Sequence, residues 1–423
     1  VETLNRRERV SYRLHLIYSI CEGVIEGVFL LSSFVFVKTL LGGDYQISIL
    51  FQSMVGIYIV SLFANEWISR VENLKRMLVV SGFATRLPLF LFLFFGTGAP
   101  GKEFFHILYL CIFALFYSSR TFVFPVINLF LKQAYRQENF GELYGRASTY
   151  RKSVIIASTF LFGLLSDYDA FAFRYVFPLC GVLGIVSVFI FTRIPYRLPT
   201  AELKRRGVVE TVRDVVAKMF RIGRSNVPYL HFELSFMLYG VGFMLTFPVI
   251  TIYFDDTLQL NYSSVSFYQY YFNLLSVFML PFFGKLMGRI DPRSFGAITF
   301  SAMCLFVLSF IVSYYWPDSD SIFGVQIHWA LLAGYSFYGV FMASNTMLYH
   351  VGSSYFCEKE HAGLYQSLHL SLTGVRGLVF PLAGVWVYQT FGFVACFSVA
   401  ATSLMLGVGV LLYSKRKLRL GAA

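Results

Sequence analysis

Twelve long apolar stretches divide the chain evenly, six on each side of one polar, basic segment at about residues 193–226. This pattern fixes the solvent before anything else is read. A bilayer core of about 30 Å requires ~20 apolar residues per crossing helix, so twelve crossings absorb ~240 residues and leave mostly short loops. Only 14% of the 423 residues are charged and 57% are hydrophobic, too little polar surface for a soluble domain of this size. The pattern predicts an all-α polytopic membrane protein with its chemistry inside a helical bundle.

The expected spans are 14–38, 45–66, 76–96, 103–132, 149–166 and 171–193, then 229–254, 262–288, 294–315, 322–350, 363–389 and 392–414. They group as an N-terminal bundle (1–193), a linker (194–227) and a C-terminal bundle (228–423). The net charge of +12 does not form one patch, as a nucleic-acid surface would; it alternates with the spans. Cations crowd the amino terminus (Arg6, Arg7, Arg9, Arg13), the fourth loop (Lys132, Arg136, Arg146, Arg151, Lys152), the linker and the tail (Lys415, Arg416, Lys417, Arg419). Lys/Arg excess marks the cytoplasmic side, which places both termini there and leaves anionic lipid, not nucleic acid, as the partner of the basic face. In the linker, Val208, Val212, Val215, Val216 and Met219 recur at helical spacing against a basic face, an amphipathic helix on the cytoplasmic leaflet. Six cysteines show neither disulfide nor metal spacing. The amino terminus has no cleavable signal pattern.

The halves echo one another weakly: Asn139-Phe140-Gly141-Glu142-Leu143-Tyr144 follows the fourth span and His361-Ala362-Gly363-Leu364-Tyr365 the tenth. After the eighth span, Gly284-Lys285-Leu286-Met287-Gly288-Arg289-Ile290-Asp291-Pro292-Arg293 is similar to the G-x-L-x-D-R-x-G-R-R/K loop motif of the major facilitator superfamily, with Gly288 at the aspartate position. A first-half copy keeps Arg70 with Ser69 at that position. With the six-plus-six layout and the linker, the chain resembles that superfamily over essentially its whole length. The resemblance implies two pseudo-symmetric six-helix bundles, transport without a cofactor, and gating roles for Arg70, Gly284 and Arg289. Short loops and a compact frame point to a bacterial cytoplasmic (inner) membrane, and a monomer is expected.

Charges inside the membrane each need an explanation, because a central one costs ~2.5–3.5 kcal/mol on insertion scales. Glu22 and Glu26 lie one turn apart on the first span, and Arg120 lies at matching depth on the fourth. The resembled fold brings those helices to one cavity, and Arg120 resembles the basic residue of its R-x-x-Q-G motif. The trio is the expected proton-coupling site: one carboxylate pairs with the cation, and the other is left to bind a proton. On the eleventh span His369, Thr373 and Arg376 form a polar stripe with no acid expected nearby in the same half, which invites an anionic or zwitterionic solute or a carboxylate from the other half. Gln52, Gln269, Asn273, Tyr335 and Asn345 complete the expected substrate contacts. Arg86 is expected to bond carbonyls freed by Pro88, while Glu233 and His231 belong to a wet helix start.

The function expected is therefore secondary active transport of a small solute by alternating access, coupled to protons. A lipid or amphiphile translocator, or a non-transporting sensor, is the alternative on the same fold. A membrane-embedded transferase using Asp318-Ser319-Asp320 with His106, His328 or His369 is the weaker third, because no large catalytic loop exists.

Overall fold

The computed structural model describes residues 4–59, 68, 71–196, 226–358 and 362–418. The linker helix expected within 194–227 and Arg70 lie outside them, apart from residues at the linker's two ends. The chain falls into two compact units, Val1–Gly42 with Phe63–Gly207, and Gly43–Leu62 with Val208–Ala423. Eight helical stretches among the described residues are long and apolar enough to cross a membrane.

The first unit contains α1 (Arg6–Phe29), α2 (Ser32–Lys38), α4 (Leu74–Arg86), α5 (Glu103–Ala134), α6 (Gln137–Tyr168) and α7 (Phe173–Thr192). Asn5 caps α1 by accepting the Glu8 N–H at 2.8 Å. Pro88 ends α4, and the chain continues as a 3-10 helix over Leu87–Phe94. The α6 helix begins at Gln137, well before the expected 149, because its polar start is satisfied by protein. Buried Glu8 accepts the Arg136 N–H at 2.9 Å and an Asn139 amide N–H at 3.2 Å. Arg146, Arg151 and Lys152 are consequently helix residues, not loop cations. Packing of α1 on α6 relies on Gly23 and Gly27: a Cβ at Gly27 would stand 2.5 Å from the Ile155 carbonyl oxygen, and one at Gly23 would stand 2.8 Å from that of Arg151.

The second unit contains α3 (Asp44–Val55), α8 (Val227–Ile252), α9 (Tyr262–Met287), α10 (Pro292–Tyr315), the strands β1 (Ser319–Ile322) and β2 (Val325–His328), α11 (Trp329–Val351) and α12 (Ala362–Lys417). Asn226 caps α8 by accepting the Tyr229 N–H at 3.1 Å, as Asn5 does for α1, which extends the internal echo. Residues 322–328, expected as helix, instead form an antiparallel hairpin pairing Ser319 with His328 and Ile322 with Val325. Phe323 (φ 51) and Gly324 (φ 80) supply the two positive φ angles that such a tight turn needs. α12 is two helices meeting at Gly392, whose φ of 85 and ψ of 174 break the helix where two separate spans were expected.

The expected second span packs with the C-terminal elements. Gly374 and Gly377 of α12 admit the α3 end closely: a Cβ on Gly377 would lie 2.6 Å from a Val55 methyl. Ser48 donates to the Pro381 carbonyl at 3.1 Å, and the Gln52 amide donates to the Leu378 carbonyl.

Candidate functional site

In the first unit α1 presents Glu22 and Glu26 one turn apart, and each meets its own arginine. Arg86, at the end of α4, places its NH2 group 3.3 Å from Glu22 Oε1. Ser187 of α7 donates to the same oxygen at 2.9 Å. Arg86 also donates to the Thr85 hydroxyl at 3.1 Å and lies 5.7 Å from the Phe116 ring centroid. Both Glu22 and Arg86 are buried. Glu26 receives a two-pronged contact from Arg151 of α6, Nε to Oε2 at 3.0 Å and NH2 to Oε1 at 2.6 Å. Such a fork is the strongest carboxylate geometry available to a side chain. The Gly23 and Gly27 contacts bring α6 close enough for it.

The expected trio is thus rearranged. Arg86, expected to serve backbone carbonyls, is an ion-pair partner, and so is Arg151, expected in a loop. Arg120 falls on α5, but its side chain lies outside the described residues. Arg86 was hidden by its neighbour Pro88, which gave a local reason for a buried cation. Arg151 was hidden because it was counted with the loop cations at the very start of the expected 149–166 span; the helix begins at Gln137 and carries it well inside.

In the second unit the polar stripe of α12 has an acid beside it, contrary to expectation. Glu233 on α8 is 4% exposed, and both its oxygens stand near His369 Nδ1, at 3.1 and 3.2 Å. Helix burial reaches further towards the start of α8 than the expected water-accessible entry, so Glu233 is enclosed. Arg376 is 2% exposed; its guanidinium donates to the Thr373 hydroxyl at 2.8 Å and to the Phe236 carbonyl. It lies 5.6 Å from the Tyr239 ring centroid and 5.9 Å from that of Phe236. Gly240 makes its seat, since a Cβ there would meet Arg376 Cδ at 2.1 Å. Asn345 of α11 lies beside Tyr239.

Asn345 and Arg376 therefore flank Tyr239, while His369 and Arg376 share the Phe236 ring. Tyr335 belongs to an adjoining aromatic wall, 4.9 Å from Tyr268 and 5.1 Å from Phe306 between ring centroids. Asn273 bonds back to the Gln269 carbonyl of its own helix at 2.8 Å. Gln52 serves the α3–α12 contact. Gly284 is exposed with open space beside it, and Arg289 is exposed without a side-chain partner among the described residues. The buried arginine of that loop is Arg293. It grips Asp291 and, through NH1, the Ser414 and Leu418 carbonyls at 2.9 and 2.8 Å. His106 bonds the Leu40 carbonyl at 2.8 Å, and Asp320 accepts from the Trp329 indole at 3.2 Å, which gives both a structural task.

The family model described as Major Facilitator Superfamily matches residues 16–353 and again 234–421. The nucleoside transporter NupG superposes with a TM-score of 0.68 at 14% identity, over 98% of this chain and 100% of its own. A structure described as giving insights into substrate recognition in proton dependent oligopeptide transporters has a TM-score of 0.65 at 13% identity, covering 97% and 99%. A bacterial homolog of the human lysosomal transporter Spinster, inward-facing and unoccupied, gives 0.60 at 14%, covering 97% and 96%. At these identities the likeness is one of fold. No curated protein matches the chain in sequence. The family match over most of the chain, the predominantly helical fold and the buried Glu22–Arg86 pair agree: this chain is a multi-pass membrane protein of the Major Facilitator Superfamily, a superfamily of transporters and not of enzymes.

Proposed function

We propose that the chain is a proton-coupled secondary transporter that moves a small solute by alternating access, with Glu22 and Glu26 as the coupling carboxylates. The observation that carries this reading is the pair of acids on α1, each held by an arginine from a different helix, Glu22 by Arg86 and Glu26 by Arg151. A proton on either acid removes the counter-charge of its arginine. A buried cation left alone is costly, so the helices must rearrange or an anion must arrive. That is the physical requirement for coupling a proton to a conformational change. Arg120 joins this group in the proposal.

The layout goes with the same reading: twelve spans, both termini in the cytoplasm, bundles 1–193 and 228–423, and a monomer in a bacterial inner membrane. Asn345, His369 and Arg376 are the proposed solute contacts, with Gln52, Gln269, Asn273 and Tyr335 beyond them and Arg70, Gly284 and Arg289 in the gates. A buried arginine favours an anionic or zwitterionic solute. Nucleosides and oligopeptides, which the names of the similar structures carry, are the first solutes to screen.

The test is solute uptake into proteoliposomes under an imposed proton gradient. Glu26→Gln should abolish gradient-driven accumulation while solute exchange at equilibrium persists. Unchanged accumulation in both Glu26→Gln and Glu22→Gln removes the coupling assignment.

A further inference from the structure

The geometry points to a second proton site, a Glu233–His369 dyad in the second unit whose proton sets the charge around Arg376. The inference rests on the transporter reading for its use in a cycle, but not for its existence. Glu233 is 4% and His369 1% exposed, and the shell around them is aromatic. The His369 ring lies 4.5 Å from Phe236 and 4.9 Å from Tyr349, edge to face in both cases. With both carboxylate oxygens facing Nδ1, that nitrogen carries the hydrogen and donates it to Glu233. The other ring nitrogen, Nε2, is buried without a partner among the described residues, and so is Nε of Arg376.

Charge decides what the pair can do. The groups facing it are Tyr229 and Tyr239 from α8, Tyr349 from α11, Cys357 beyond Tyr229, and Tyr365 and Arg376 from α12. With Glu233 ionised, Arg376 charged and the imidazole neutral, the cluster sums to zero. No carboxylate lies within ion-pair distance of Arg376 among the described residues; the Phe236 ring joins it to the dyad, 4.5 Å from the His369 ring and 5.9 Å from the Arg376 guanidinium. A proton arriving on Nε2 forms an N–H bond there and raises the cluster to +1. An enclosed net charge is unfavourable, so protonation favours either an anionic group beside Arg376 or a movement of α12 against α8. Proton binding and solute charge would then be linked at one place, independently of Glu22 and Glu26. The chemical class the site takes is the proton, with a singly anionic solute group as its counter-charge.

The experiment is a pH titration of the full chain, labelled with 15N-histidine, in lipid nanodiscs without added solute. The chain has seven histidines, so the His369 signal is assigned by its loss in His369→Gln. That signal should change on acidification over the titrated range, and Glu233→Gln should reduce its proton affinity by at least tenfold, the effect of removing an opposite charge in contact. A flat His369 signal across the range, or an identical titration in Glu233→Gln, overturns the dyad. If Glu233→Gln does not fold, Arg376→Gln supplies the second reading: losing the neighbouring cation should raise the proton affinity about tenfold. No change there overturns the proposal equally. Glu26→Gln separates the two sites: it should lose coupled accumulation and leave the His369 titration intact.

Discussion

Breaking the Glu22–Arg86 pair tests whether the charges inside the first unit are held by each other or merely tolerated. At 3.3 Å, with an effective dielectric of ~20, the two charges attract by about 5 kcal/mol. Desolvation offsets much of this, but the offset is already present when both charges are buried. Removing one partner therefore leaves an enclosed charge behind, at about 3–5 kcal/mol. Glu22→Gln retains the Ser187 contact and should fall at the lower end; Arg86→Met, which strands the carboxylate, should fall at the upper end. The double variant buries no charge, so it should be less damaging than the sum of the singles by at least about 1.5 kcal/mol. The measurement is a double-mutant cycle on reversible unfolding in mixed micelles. If the single variants cost under ~1 kcal/mol, or if the effects add within ~0.5 kcal/mol, the pair is not a coupled unit. The proton-coupling argument built on displacing an arginine would then fail with it.

Other expectations follow from the same contacts. Gly240→Ala should displace Arg376 and destabilise the second unit by about 1–3 kcal/mol in the same assay, because the added carbon meets the arginine stem. Gly392→Ala, with open space around it but φ at 85, should cost about 1–3 kcal/mol through backbone strain alone; a neutral result would mean that the α12 bend adopts another conformation. Asp291 lies in the loop between α9 and α10. Burial raises its proton affinity, yet the Arg293 N–H at 2.8 Å, Nε at 3.0 Å and NH2 at 2.8 Å outweigh this and hold the carboxyl below its ordinary range. A carboxylate depressed on folding stabilises above its unfolded pKa and loses that contribution as pH falls through the folded one. The thermal midpoint of the wild type should therefore drop more than that of Asp291→Asn between about pH 5 and 3; parallel curves would refute the Arg293 clasp.

The amino-acid order by itself determined the solvent, the helical class and the family, because a lipid-facing helix demands a long apolar run and satisfied backbone groups whatever its neighbours do. It also marked Glu22, Glu26, His369 and Arg376, since charge in such runs stands out one residue at a time. Their partners were decided only by tertiary structure. Glu22 meets Arg86 across 64 residues, Glu26 meets Arg151 across 125, and Glu233 meets His369 across 136. Those separations carry no local periodicity, and each meeting depends on which helix faces pack. The closeness that lets Arg151 reach Glu26 comes from Gly23 and Gly27, residues whose contribution is the absence of a side chain. Where the hairpin replaced an expected helix start, the two positive φ angles at Phe323 and Gly324 overrode an apolar run that read equally well as helix. Helix existence is thus written in composition and period, whereas ion pairing is written in the fit between surfaces that only the folded chain brings together.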